Sequence, residues 1–239
     1  MANEPMGSDE QLVAEPTYPE FIDWLIGAAI ALTGLVLLVG GSAIVLLVDR
    51  ELIAQDIEDT AEPVMIGTRE LTDEEMIQLA GTVIDWTGVG LLLTGITLLI
   101  VGVGYVLIRH RAYRRHAEGE SMEMFLGHAF LGGVVTVLVS FIPLSPVIGG
   151  GIAGFLERAV SERAVSVGAV SGLIPTIPII ILMVFVIGGA AAALLELGEG
   201  PLAIFMVIIV LFTAIALGLF GAGLGAVGGY LGGWIRTNR

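Results

Sequence analysis

Residues 127–156 read GHAFLGGVVTVLVSFIPLSPVIGGGIAGFL, thirty residues with a single ionisable side chain, His128. A helix crossing a bilayer takes about 20 apolar residues, so the stretch is long enough to span. Its middle resists a continuous helix. Pro143 and Pro146 stand three apart, and each removes a backbone donor and crowds the preceding turn. The stretch therefore reads as a longer helix, a break at Ile142-Pro143-Leu144-Ser145-Pro146, and a short helix. Whether the short arm carries the chain onward or back decides the topology.

The next apolar stretch, Val165–Leu195, repeats the device in reverse. Ile174-Pro175-Thr176-Ile177-Pro178 breaks it into a short helix followed by a long one. The polar link Glu157-Arg158…Glu162-Arg163 joins the two short pieces. Residues 126–195 thus form a nearly mirror-symmetric broken hairpin. Three further apolar stretches, Phe21–Val48, Thr82–Ile108 and Pro201–Ile235, contain almost no charge. The fold class is all-α: a polytopic integral membrane protein with four or five transmembrane helices, placed in the cell membrane as a multi-pass chain.

The segments divide naturally. Residues 1–20 form an acidic tail with no basic residue, so Phe21–Val48 reads as an uncleaved anchor rather than a secretory signal. Residues 21–108 hold two spans around an acidic extracellular loop, 49–81. Residues 109–125 form a basic cytoplasmic linker, and 126–239 hold the broken hairpin and a glycine-rich span. Within 49–81, two short helices are expected around a break at Glu62-Pro63, and Thr72-Asp73-Glu74-Glu75 is a capping-box pattern. Its apolar residues Leu71, Met76, Ile77 and Leu79 suit a membrane surface or a partner, against the plainer reading of a solvated acidic loop.

Two topologies follow. Five simple crossings put Arg109, Arg111, Arg114 and Arg115 on one side and the other six arginines opposite. If 127–156 enters and returns, Arg158, Arg163, Arg236 and Arg239 join the first four, and the positive-inside rule favours that arrangement. The short arm from Pro146 to Leu156 rises only about 16 Å, barely enough to regain the surface. The cluster Arg109, Arg111, Arg114 and Arg115 is a topology determinant on the cytoplasmic face in both versions.

Composition narrows the habitat. The ten basic residues are all arginine, against 24 acids, for a net charge of −14. An acidic, lysine-free surface suits concentrated salt, where the Debye length falls to about 3 Å at 1 M and self-repulsion is screened. Cysteine is absent, which excludes disulfides, thiolate metal sites and thiol redox chemistry.

Several patterns carry candidate roles. Ile22-Asp23-Trp24 recurs as Ile84-Asp85-Trp86, and Leu32-Thr33-Gly34 as Leu93-Thr94-Gly95. In consecutive crossings the motif runs in opposite directions, giving an antiparallel pair with inverted pseudo-symmetry. Asp23, Trp24, Asp85 and Trp86 read as interfacial residues, acids at helix starts and tryptophans at head-group level. Gly221, Gly225, Gly229 and Gly233 fall every fourth residue, a stripe that lets helix backbones approach closely. It serves either an internal contact or assembly with other copies. Gly150 and Gly154, and Gly168 and Gly172, are expected to pack the two short helices on each other.

The proline breaks free backbone groups near the midplane, and Ser140, Ser145, Ser171 and Thr176 add hydroxyls. With Pro143, Pro146, Pro175 and Pro178 they form a candidate pathway, against the plainer reading of a kinked hairpin whose groups are satisfied by neighbours. His110, His116 and His128 lack metal-ligand spacing. There is no lysine for a serine–lysine dyad, no deep histidine and no pair of deep aspartates, so an intramembrane protease is excluded. No cofactor and no nucleic-acid partner is indicated.

The segment from about His128 to Trp234 resembles a group of small haloarchaeal membrane proteins sharing a domain of unknown function. The likeness rests on Ser140-Phe141-Ile142-Pro143-Leu144-Ser145-Pro146, on residues 149–156 (GGGIAGFL), on 167–173 (VGAVSGL) and on 228–232 (GGYLG). The resemblance implies a halophilic membrane protein and brings no activity with it.

The functional expectation is a non-enzymatic structural or accessory component of a membrane oligomer or complex. Its partners are membrane lipid and either further copies or another membrane protein. The alternative is a small channel or carrier using the broken helices near Pro143–Pro146 and Pro175–Pro178.

Overall fold

The computed structural model describes residues 18–60, 64–66, 69–118, 124–157 and 161–238. The acidic tail up to residue 17, the expected break at Glu62-Pro63, Arg158 and Arg239 lie outside them. Among the described residues eight helices account for nearly all of the structure: α1 (Glu20–Leu47), α2 (Arg50–Thr60), α3 (Asp73–Ala117), α4 (Phe125–Leu138), α5 (Ser145–Leu156), α6 (Ser161–Leu173), α7 (Thr176–Glu196) and α8 (Gly200–Thr237). A two-stranded antiparallel ladder, β1 (Met65–Ile66) and β2 (Arg69–Glu70), is a small departure from an all-α chain. Among the described residues four helical segments are long and apolar enough to cross a membrane: α1, α3, α6–α7 from Arg163, and α8.

The antiparallel pairing of α1 and α3 follows from glycines at seven-residue spacing. A Cβ on Gly34 would stand 2.7 Å from the Gly95 carbonyl oxygen, one on Gly41 2.8 Å from Gly88 O, and one on Gly102 2.8 Å from Gly27 O. Three glycines from each helix therefore meet in reverse order, and only hydrogen on Cα permits that approach. Gly34 meets its own repeat-mate Gly95, so the inverted pseudo-symmetry of the sequence is realised in the packing.

Helix α3 extends beyond the second apolar stretch at both ends. It is a single helix of 45 residues, about 68 Å long. It absorbs the second half of the acidic segment at one end and the basic linker at the other. Its start is the expected capping box: Glu75 N donates to Thr72 Oγ1 at 3.3 Å, and Thr72 N to Glu75 Oε2 at 3.0 Å. The remainder of the acidic segment is α2 and the ladder. Leu71 is buried, and Leu79 and Ile66 pack on Ala191, Leu194 and Ala203 at the α7–α8 turn. These apolar residues cover the chain's own helix ends.

That turn is a Schellman motif. Gly198 N donates to Leu195 O at 3.1 Å and Glu199 N to Leu194 O at 2.8 Å, with Gly198 at φ +80°. Arg69 and Gln78 hold the same end, Arg69 through Glu75 (2.6 Å) and Glu199 (3.8 Å), Gln78 through Glu196 (3.0 Å).

The broken hairpin returns. Helix α4 runs inward for 14 residues, the chain turns over 139–144, and α5 comes back beside it. Helix α6 then re-enters, and the break at Ile174-Pro175 passes the chain into α7. Helix α8 runs the full height back, and Arg236 near its end donates to Phe155 O at 2.7 Å and Leu156 O at 3.2 Å, closing the last carbonyls of α5. The start of α1, the end of α3, the start of α4, the end of α5 and the end of α8 thus share one end. Arg109, Arg111, Arg114, Arg115, Arg163 and Arg236 lie there, while Arg50 and Arg69 lie at the other.

The glycine stripe of α8 faces inward, onto both short helices. A Cβ on Gly150 would lie 2.8 Å from Gly225 Cα, one on Gly154 2.6 Å from Gly229 Cα, one on Gly168 2.7 Å from Gly229 Cα, and one on Gly221 2.7 Å from Gly172 O. Gly233 rests on Ala164. The expectation that α5 and α6 pack through their glycines on each other is therefore corrected. Each turns its glycines to α8, because three backbones meet closely only along a shared glycine seam.

Candidate functional site at the arginine-rich end

The densest polar chemistry among the described residues lies where α1, α3, α4 and α5 converge. The glycine-driven pairing of α1 and α3 sets the first turn of α1 beside the last turns of α3. Asp23 and Arg109, 86 residues apart, are buried there at 1% and 2% exposure, with Arg109 Nε donating to Asp23 Oδ2 at 2.9 Å. Tyr105, one turn before Arg109, donates its hydroxyl to Asp23 Oδ1, and Tyr18 donates to the same oxygen at 3.2 Å. Arg109 Nη2 reaches Met124 Sδ at 3.1 Å, and its guanidinium lies 5.4 Å from the centre of the Tyr113 ring. Tyr113 OH in turn donates to Tyr18 O at 3.0 Å. Burial first, and then the Asp23 charge, push the Tyr18 phenol well above its ordinary pKa, so it remains a donor.

A second pair adjoins the first. His128, in the first turn of α4 and 1% exposed, sets Nδ1 3.1 Å from Glu157 Oε2 at the end of α5. Arg163 Nε approaches the other oxygen of Glu157 at 3.6 Å. The Tyr18 and His128 rings meet edge-on with centroids 6.0 Å apart, joining the two pairs. Gly127 lets α4 approach this close: a Cβ there would stand 3.0 Å from Arg109 Cζ. His128 Nε2 is buried and makes no hydrogen bond to a described residue.

Chemically this is a set of opposed charges with their hydrogen bonds largely met. It ties the two ends of the α4–α5 hairpin together and ties both to the α1–α3 pair. No group of three or more histidine, cysteine, aspartate or glutamate side chains among the described residues could hold a metal. His128 is buried within the protein, but at the helix-terminal end and not midway along a span.

The other expected residues are dispersed. Asp23 stands in the first turn of α1, as an acid at a helix start should, and is in addition a buried ion-pair partner, whereas its repeat-mate Asp85 is exposed. Trp24 is exposed and donates to Glu20, and Trp86 packs on Gly189 and Phe185 of α7. Arg111, Arg114 and Arg115 are exposed, whereas Arg109 is buried. The residues of the candidate pathway differ in exposure. Ser140 and Pro143 face outward, Ser145 and Ser171 are buried, and Pro146, Pro175 and Pro178 are half-buried. Thr176 Oγ1 donates to Leu173 O at 2.7 Å, capping its own break.

Residues 126–235 match a family of unknown function (DUF5518). The match begins in α4 and ends near the close of α8, leaving α1–α3 outside it. No curated protein and no solved structure matches the chain.

Proposed function

We propose that this chain is a non-enzymatic, multi-pass protein of a halophilic archaeon's cell membrane, acting as a structural or accessory component of a membrane assembly. The observation that supports it is the glycine seam of α5, α6 and α8. Backbones in direct contact along three helices make a rigid unit, and such a seam suits a scaffold better than an alternating gate. The charge pattern agrees. Asp23, Arg109, Glu157 and Arg163 are paired at one end and do not form a series through the bilayer as a relay would. The net charge of −14 without lysine supports the halophilic habitat.

The test is purification from native membranes in high salt followed by reconstitution. The accessory reading expects a discrete assembly and vesicles no leakier to ions or protons than empty ones.

A carrier is the second reading, favoured by the returning hairpin and by His128 Nε2, which bonds no described residue. It expects a protein-dependent flux that His128→Ala abolishes, and that result would replace the first reading.

A further inference from the structure

We infer that the turn between α4 and α5, residues 139–144, is the contact through which two copies of this chain pair. The inference rests on the membrane reading above and moves assembly from the glycine stripe, which is occupied internally, to this turn. Helix α4 rises about 21 Å over its 14 residues, which sets the turn at bilayer depth rather than at its surface. The turn is exposed: Phe141 at 81%, with Leu138, Ile142, Pro143 and Leu144 also uncovered.

Its backbone is incompletely paired. Ser140 N, Ile142 N and Ser145 N find carbonyls, but the amides of Phe141 and Leu144 and the carbonyls of Ser140, Phe141 and Pro143 bond no described residue. Irregular backbone at this depth persists only inside protein or along a water-filled cavity, since lipid tails neither donate nor accept. The residues Phe141-Ile142-Pro143-Leu144 do not suit a wet lining.

The chain shows what covering a break requires. At Ile174-Pro175 the Thr176 hydroxyl caps Leu173 O, Ile174 N bonds Val170 O, and Gly221 of α8 closes over Thr176. Among the described residues the first break has no such cover. Its free groups are of both kinds, two amides and three carbonyls, so the turn is complementary to itself. A two-fold copy brings donors to acceptors in both directions, with Phe141 packing beside the axis.

The chain has no cysteine, so one can be placed at will. Phe141→Cys is oxidised in native membranes at high salt, with Leu144→Cys as a second reporter and Leu32→Cys, exposed on α1, as the control. A disulfide needs Cα atoms within about 7 Å. The expected result is conversion of most Phe141→Cys or Leu144→Cys chains to a dimer-sized band while Leu32→Cys stays monomeric. Only monomer at both turn positions, dimer at all three, or an adduct of another mass overturns the inference. The cross-link reads one contact and the flux assay reads transport, so this contact and the accessory reading fail separately.

Discussion

Asp23 and Arg109 are the residues on which the arginine-rich end depends. Both are almost completely buried, and an ion pair stripped of one partner leaves an uncompensated charge that costs about 3–5 kcal/mol. Arg109→Met is therefore expected to destabilise the protein by that amount in a reversible detergent-unfolding titration. Adding Asp23→Asn to it should recover a large part, and equal losses in the single and double variants would remove the pair from the account. Tyr105→Phe should cost about 1.5–3 kcal/mol, the range for a hydrogen bond to a charged group. Little of this site was legible from composition. Asp23 looked like an ordinary first-turn acid and Arg109 like one of several flanking arginines. The signal lay in the inverted repeat, which makes α1 and α3 antiparallel and so brings the start of one beside the end of the other. His128 carried no local signal, because its partner Glu157 meets it only after the hairpin turns back.

Elements are held by where glycine stands. Gly225 lies in the seam, where a Cβ would come 3.1 Å from Gly172 Cα, whereas Gly223 faces open space. Gly225→Ala is expected to lose about 1–3 kcal/mol through overpacking. Gly223→Ala should be neutral or slightly stabilising, since alanine is the better helix former by about 1 kcal/mol. The same titration measures both, and matching effects would show that the seam contributes nothing specific. The proline breaks, the capping box and the every-fourth-residue glycines were all readable, because each depends on neighbours within a few residues. Which surface the glycines face was not, since small residues promote close contact with any helix. The seven-residue glycine spacing in α1 and α3 was available in the sequence and is the better predictor of their pairing. The length of α3 was obscured by polarity, because a helix that leaves the apolar layer keeps its backbone bonds whatever its side chains.

The whole molecule is polarised. One end gathers arginines, the other gathers α2, the ladder and an acidic surface. With 24 acids against ten arginines, self-repulsion falls as salt rises, so the unfolding temperature is expected to climb steadily between about 0.1 M and 1 M potassium chloride as the Debye length shrinks from about 10 Å to 3 Å. A flat response would detach the charge balance from habitat. The positive-inside argument already favoured the returning hairpin, and the structure supplies its physical reason: Glu157 holds the end of α5 to His128 at the start of α4, and Arg236 ties that same end to α8. The most direct test of that topology uses single cysteines and a membrane-impermeant maleimide on intact and opened vesicles. Arg111→Cys and Arg163→Cys are expected to react from the same side, and Glu58→Cys from the other. Reaction of Arg163→Cys from the side of Glu58→Cys would mean that residues 127–156 cross the membrane outright, and the returning hairpin would be wrong.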